Sequence, residues 1–198
     1  MNQAIYSKIT DALVDDGYIV IENAISKNLS HLLLQDAKIE SNFRRAGISN
    51  FPALHIDTNR RRDKIHWLDD DGSVRSEFLA FADGLKEYLN KTLFLVLTYY
   101  ESHYAIYNTG DFYETHVDAF KNSVNRVVTT VYYLNEGWRE GDGGELVIYD
   151  EHNNFLKKVP PKANTLVVFL SEKFPHEVLP AIKKRYSIAG WFRVDKVA

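Results

Sequence analysis

Asp111-Phe-Tyr-Glu-Thr-His-Val-Asp118 reads as a strand more than as a helix, and 58 residues after Asp118 comes His176, within Phe174-Pro-His-Glu-Val178. On a strand, side chains alternate faces, so His116 and Asp118 are expected to point the same way and Val117 the other. For His176 to stand beside them, two strands far apart in sequence must be brought together. Only a closed or folded-over sheet does that. A lone H-x-D is common by chance and usually marks a solvated turn or a polar pair. The second histidine, the strand-like sequence between, and Arg185 nine residues further on reverse those odds.

Two histidines and one carboxylate can occupy one face of a metal's coordination sphere. The opposite positions stay open for a substrate and for dioxygen, a geometry that points to non-haem Fe(II). Arg185 adds a planar fork suited to a dicarboxylate co-substrate.

Outward from these residues, the chain from about residue 93 is strand after strand. The expected strands are 94–107, 112–118, 126–134, 145–149, 155–159, 164–170, 174–179 and 186–194, with turn signals at Asn108-Thr-Gly110, Asn135-Glu-Gly137, Gly141-Asp-Gly-Gly144 and Pro160-Pro161. About eight short strands without a helix fit an antiparallel barrel or jelly roll. The first part reads differently. Ile5, Ile9 and Leu13 recur at helical spacing, Gly17 ends that run, and Tyr18-Ile-Val-Ile21 reads as a short strand. Leu29, Leu32, Leu33, Ile39 and Phe43 suggest a second helix. Ser73 is placed to cap a third that carries Phe78, Phe81, Leu85, Tyr88 and Leu89. Between the last two lies a polar, basic segment, residues 44–72, with an apolar island at Ile65-His-Trp-Leu68. It reads as a long loop or hairpin of the kind that binds partners. The expectation is therefore one α+β domain over 1–198. Residues 1–92 supply helical support plus the 44–72 substrate loop, and 93–194 form a double-stranded β-helix (jelly-roll) core.

Composition limits the alternatives. The chain has 198 residues, 45% of them hydrophobic and 13% aromatic, enough for an ordered core. It has no cysteine, so disulfides and thiolate ligands are excluded, in keeping with a cytoplasmic location. The start lacks the pattern of a signal peptide, and no apolar run approaches the roughly 18 residues that span a bilayer. A net charge of −3 does not suit a nucleic-acid partner, although Arg44, Arg45, Arg60, Arg61, Arg62 and Lys64 form a local basic cluster.

Alternation also nominates a pocket. Arg185, Ser187, Ala189 and Trp191 share a face, as do His176 and Val178, and Leu146 and Ile148. A dicarboxylate pocket needs a cation at its far end, hydroxyl donors and apolar walls. Arg185, with Tyr107 or Tyr133, and Leu146 with Val178 can provide them. His31, His55, His103 and His152 have no ligand partner at suitable spacing and read as surface or packing residues.

Several stretches, in this order, resemble one family. They are Arg62-Asp-Lys-Ile-His-Trp67, Tyr107 with His116-Val-Asp118, Arg126 with Tyr132-Tyr-Leu-Asn135, Gly143-Gly-Glu-Leu146, Pro175-His-Glu-Val178 and Arg185-Tyr-Ser-Ile. Over roughly residues 43 to 193 the chain is similar to the 2-oxoglutarate- and Fe(II)-dependent prolyl 4-hydroxylases, in the branch of the oxygen-sensing prolyl hydroxylases and their bacterial relatives. The resemblance implies Fe(II) held by His116, Asp118 and His176. It implies 2-oxoglutarate held at its distal carboxylate by Arg185 and Tyr133, beside Tyr107, within walls of Leu146, Val178 and Trp191. Arg126 would lie at the substrate entrance, and Arg61, Asp63 and Trp67 in a loop that closes over a peptide. Ala189 departs from the threonine that the oxygen-sensing relatives carry there.

The implied reaction consumes dioxygen and 2-oxoglutarate, releases succinate and carbon dioxide, and hydroxylates a prolyl residue at its trans-4 position. Ascorbate is a further reductant the family's chemistry allows. The implied substrate is a proline-containing cytoplasmic protein or peptide, for bacterial relatives a translation factor such as elongation factor Tu. Two rivals stay open: an oxygenase of the same kind acting on another side chain or a small molecule, and a metal-binding barrel that senses without turnover. A zinc hydrolase fits less well, since no glutamate is clearly placed as a base beside the histidines.

Overall fold

The structure, a computed structural model, describes residues 2–50, 53–55, 57–119 and 125–194. Its elements are α1 Asn2–Asp15, β1 Tyr18–Glu22, α2 Lys27–Ile39, β2 Arg44–Arg45, β3 Ile48–Asn50, β4 Ala53–His55, β5 Lys64–Trp67, α3 Val74–Leu93, β6 Tyr99–Tyr107, β7 Tyr113–His116, β8 Arg126–Tyr133, β9 Leu146–Tyr149, β10 Phe155–Val159, β11 Thr165–Leu170, β12 His176–Val178 and β13 Arg185–Arg193. A seven-stranded sheet runs β1-β11-β8-β13-β6-β5-β2, a four-stranded sheet runs β10-β9-β12-β7, and β3 and β4 form a two-stranded sheet. The pairings given for these strands are all antiparallel. The mostly β, jelly-roll expectation with helices at the N-terminal end is what the structure has.

Alternation explains how the layers divide. On β8, Val128 and Tyr132 face the helices, where they join Leu33, Leu85, Leu89 and Phe78 in one apolar core. Val131 and Tyr133 face the other way, into a second core between the sheets with Leu146, Ile148, Val167 and Val178. Each side of the large sheet is thus covered, which is why β8 is buried without a break from Val128 to Tyr133. Removing a fully buried leucine such as Leu85 or Leu89 costs about 2–5 kcal/mol.

The helices end where local chemistry tells them to. Gly17, just past α1, sits at φ +80°. Ser26 and Ser73 cap α2 and α3, their hydroxyls accepting from the Leu29 and Arg75 N–H groups.

Four details differ from the expectation. Helix α2 stops at Ile39, and Leu32 and Ile39 are exposed; its buried face is Leu29, Leu33, Leu34 and Ala37. Strand β6 starts at Tyr99 rather than 94, because α3 runs to Leu93 and is capped by Phe94 in the left-handed region. The 44–72 segment takes the hairpin form, and Lys64–Trp67 is a strand of the large sheet, hydrogen-bonded to β6. Its residues 51, 52 and 56 lie outside the described residues. Strand β7 ends at His116, so Asp118 stands beyond the ladder, in a bend.

Candidate metal centre and its cleft

His116 and His176 face each other across the β7–β12 pairing. The turn after β7 brings Asp118 between them. His116 Nε2 lies 3.7 Å from Asp118 Oδ1, and His176 Nε2 lies 3.6 Å from Asp118 Oδ2. Two ligands about 2.1 Å from a common ion, at a right angle, stand about 3 Å apart. The trio therefore needs only a slight contraction to hold a divalent cation, and its ligand atoms all lie within 4.8 Å of one another.

The protonation states suit a cation as well. His116 Nδ1 is 2.7 Å from the Glu114 carbonyl and His176 Nδ1 is 3.0 Å from the Phe174 carbonyl. A carbonyl only accepts, so each Nδ1 carries the proton and each Nε2 offers a lone pair to the centre. Burial, reinforced by the neighbouring His176, pushes His116 well below the usual imidazole range. Burial alone would raise Asp118, yet the facing His176 and His116 hold it below the usual carboxylate range. Neutral imidazoles and an ionised carboxylate are the forms that bind metal.

The trio opens into a cleft of about 900 Å³. At its inner end Arg185 is 1% exposed, donating from Nε to the Gly144 carbonyl at 2.9 Å and from Nη1 to Ser187 Oγ at 3.1 Å. It makes no ion pair with a carboxylate among the described residues, an expensive arrangement for a buried cation unless a ligand supplies the anion. Tyr107 and Tyr133 flank the guanidinium, with ring centroids 4.8 and 5.0 Å from Cζ. The Tyr133 hydroxyl is buried without a hydrogen-bond partner, and burial pushes its pKa up to about 12, so it stays a donor. A free cation and an idle donor at one end fit a carboxylate ligand. Gly144 (φ +69°) is required here: a Cβ would sit 2.9 Å from Ala181 and 3.1 Å from the Arg185 chain.

The other expected residues gather around the same space. Leu146, Val178 and Trp191 form walls, and the Trp191 indole N–H is buried without a partner. Arg126 lies 3.8 Å over the Trp191 ring and pairs with Glu101 at 3.1 Å. Arg61 clasps Asp63 with two bonds of 2.6 and 2.9 Å and covers the Tyr113 ring. Trp67, 46% exposed, lies at the rim, edge-on to His103.

Six residues take part here to which the sequence reading gave no role in the site. Tyr113 stacks on His116 with centroids 3.6 Å apart. Thr129 and Ser171 form a hydroxyl chain to Asp118. The Gly144 carbonyl and Ser187 hold Arg185. His103, read as a surface or packing residue, is buried between Trp67 and Trp191 and lines the cleft, where burial and then Arg61 lower its pKa to about 4. His31 is exposed as expected, and the His55 side chain lies outside the described residues.

Comparison with known proteins adds a lineage. Residues 102–193 match the model of the 2OG-Fe(II) oxygenase superfamily. A Pseudomonas putida prolyl-4-hydroxylase structure is 34% identical, with a TM-score of 0.87, covering 96% of this chain and 99% of that one. A Trichoplax adhaerens prolyl hydroxylase, solved with a hypoxia inducible factor peptide fragment, is 27% identical with a TM-score of 0.84, covering 97% and 90%. The hypoxia-inducible factor prolyl hydroxylase of Caenorhabditis elegans is 30% identical over 93% of this chain, which spans 27% of that relative's length. The chain likewise falls well short of the full length of other curated hydroxylases it matches.

Proposed function

We infer the reaction from the lineage and the site together: the chain belongs to the 2OG-Fe(II) oxygenase superfamily and, within it, to the prolyl 4-hydroxylases. The proposed activity is trans-4 hydroxylation of a prolyl residue in a protein, coupled to conversion of 2-oxoglutarate and dioxygen to succinate and carbon dioxide. One observation carries it. A two-histidine, one-carboxylate trio and a buried arginine with no carboxylate partner among the described residues stand at two places in a single cleft.

His116, Asp118 and His176 would hold Fe(II), which together with 2-oxoglutarate would activate dioxygen, the oxidant that no side chain supplies. Arg185 and the Tyr133 hydroxyl take the distal carboxylate, and Tyr107 fixes the guanidinium between two aromatic faces. Leu146 and Val178 keep the inner cleft dry, which strengthens that charge pairing. At the mouth, Arg126 is already engaged with Glu101 and Trp191, so it presents a fixed edge to an incoming chain. The Arg61–Asp63 clasp and Trp67 form the opposite lip. The peptide held by the Trichoplax relative supports a peptide as occupant.

As substrate we propose a proline of a cytoplasmic protein, with elongation factor Tu the candidate. The test is succinate release from 2-oxoglutarate with Fe(II), dependent on elongation factor Tu or its proline peptides, with mass spectrometry locating one added oxygen atom on proline. Turnover of 2-oxoglutarate without any prolyl product from these candidates would remove the assigned substrate. No turnover with Fe(II) present would remove the reaction.

A further inference from the structure

Asp118 poses a problem that the two histidines do not. His116 and His176 are fixed by a strand pairing, but that ladder stops before Asp118. Something else must aim the carboxylate. Thr129, on β8, places Oγ1 2.9 Å from Asp118 Oδ2 and 2.9 Å from Ser171 Oγ. An ionised carboxylate has no proton to give and a hydroxyl has one. Thr129 therefore donates to Asp118, and Ser171 must donate to Thr129. Thr129 is 1% exposed and Ser171 0%, so water is shut out of this chain. The backbone reinforces it. The Ala119 N–H reaches the Ser171 carbonyl at 3.4 Å, and the Ser171 N–H donates to the Val127 carbonyl at 3.0 Å. The bend that carries Asp118 thus hangs from Thr129 of β8 by a side-chain bond and from Ser171, just past β11, by a backbone bond.

We propose that Thr129, backed by Ser171, is a positioning residue that makes Asp118 a one-oxygen ligand, with Oδ2 held by the hydroxyl and Oδ1 turned to the metal. This rests on the Fe(II) reading given above. The number of oxygens matters because a carboxylate chelating through both takes two positions on the ion. With two imidazoles already bound, too few positions then remain for a keto acid that chelates and for dioxygen as well. The hydroxyl chain keeps the second oxygen occupied and the extra position open. A purely structural Thr129 would satisfy a buried carboxylate and nothing more.

Three variants separate these cases. Thr129→Val keeps shape and removes the donor, Thr129→Ser keeps the donor, and Ser171→Ala removes only its support. Two readouts avoid turnover: Mn(II) affinity by calorimetry, and the visible charge-transfer absorption that anaerobic Fe(II) shows when a keto acid chelates it. Thr129→Val should bind Mn(II) about 10–100-fold more weakly and lose most of the absorption at saturating metal. Thr129→Ser should restore both, and Ser171→Ala should fall between. Thr129→Val with wild-type affinity and absorption, even if it melts earlier, overturns the proposal and leaves the Fe(II) reading intact. Wild-type protein that never develops the absorption with Fe(II) and 2-oxoglutarate overturns the Fe(II) reading and the proposal with it. Should Thr129→Val not fold, Ser171→Ala decides alone: wild-type behaviour in both readouts refutes the clamp.

Discussion

Arg185→Lys keeps a positive charge at the inner end of the cleft and removes its fork. The arginine spends Nε on the Gly144 carbonyl and Nη1 on Ser187 Oγ, and its plane is held between Tyr107 and Tyr133. A lysine ammonium is a point charge on a flexible stem, so it cannot satisfy these anchors and also present two parallel donors to a carboxylate. A hydrogen bond to a charged group is worth about 1.5–3 kcal/mol. Losing one of the two to 2-oxoglutarate, at about 2 kcal/mol, raises its apparent KM roughly 30-fold. The Gly144 carbonyl, left without its buried donor, adds a stability loss of about 1–3 kcal/mol. The assay is succinate release against 2-oxoglutarate concentration, run beside Mn(II) calorimetry and a thermal melt. An unchanged KM with normal metal binding would refute the assignment of Arg185 to the co-substrate.

Three further outcomes follow from the geometry. His116→Ala should lose turnover and Mn(II) binding while melting as a folded protein, and full activity would sink the metal assignment. Trp67→Ala should lose prolyl hydroxylation but keep uncoupled 2-oxoglutarate decarboxylation and the melting temperature, since the ring is 46% exposed. A joint fall in all three makes Trp67 a structural anchor instead. His103 is held near pKa 4 against 6.5 unfolded, by burial and then Arg61. Its neutral form therefore contributes stability above pH 6.5 that is lost as pH falls toward 4, about 3 kcal/mol in all. Thermal melts from about pH 7 to about pH 5 should show a shallower decline for His103→Phe than for wild type, and parallel declines would disprove it.

The sequence announced the strands of the second half because each is short, β-branched or aromatic and fenced by turn residues. It announced His116, His176 and Arg185 because each lies on or starts a strand, where alternation decides direction. Asp118 was legible only as a residue type. The inference that it shares a strand face with His116 fails, because β7 stops and a bend delivers the carboxylate. Thr129 and Ser171 were invisible as partners, since their meeting depends on β8 and β11 lying side by side. Thr129 does share its alternation with Val131 and Tyr133, a signal that it faces inward. His103 could have been found the same way, two and four residues before the inward-facing Ala105 and Tyr107. Strand β5 was hidden because four residues, Lys64–Trp67, are too few for a periodic pattern to emerge.

The arm that carries Arg61, Asp63 and Trp67 is rooted, and the root sets where it can bend. Its base, β5, is stitched to β6 from Lys64 to Trp67, and the opposite face of that stitching is the cleft wall at His103 and Ala105. Arg44 and Arg45 lace β2 onto the same base, Arg61 bridges to Tyr113, and the Asp63 carbonyl holds the Ala46 amide. Outboard of these bonds, β3 and β4 pair with each other and, among the described residues, with no other strand. The Arg61 guanidinium also reaches the Gly47 carbonyl at 3.4 Å, so Trp67 and the clasp both stand on the bonded base of the arm. On the proposed peptide reading, substitutions at Trp67 or the clasp and substitutions in the β3–β4 pair therefore test two separate parts of recognition, one on the bonded base of the arm and one beyond it.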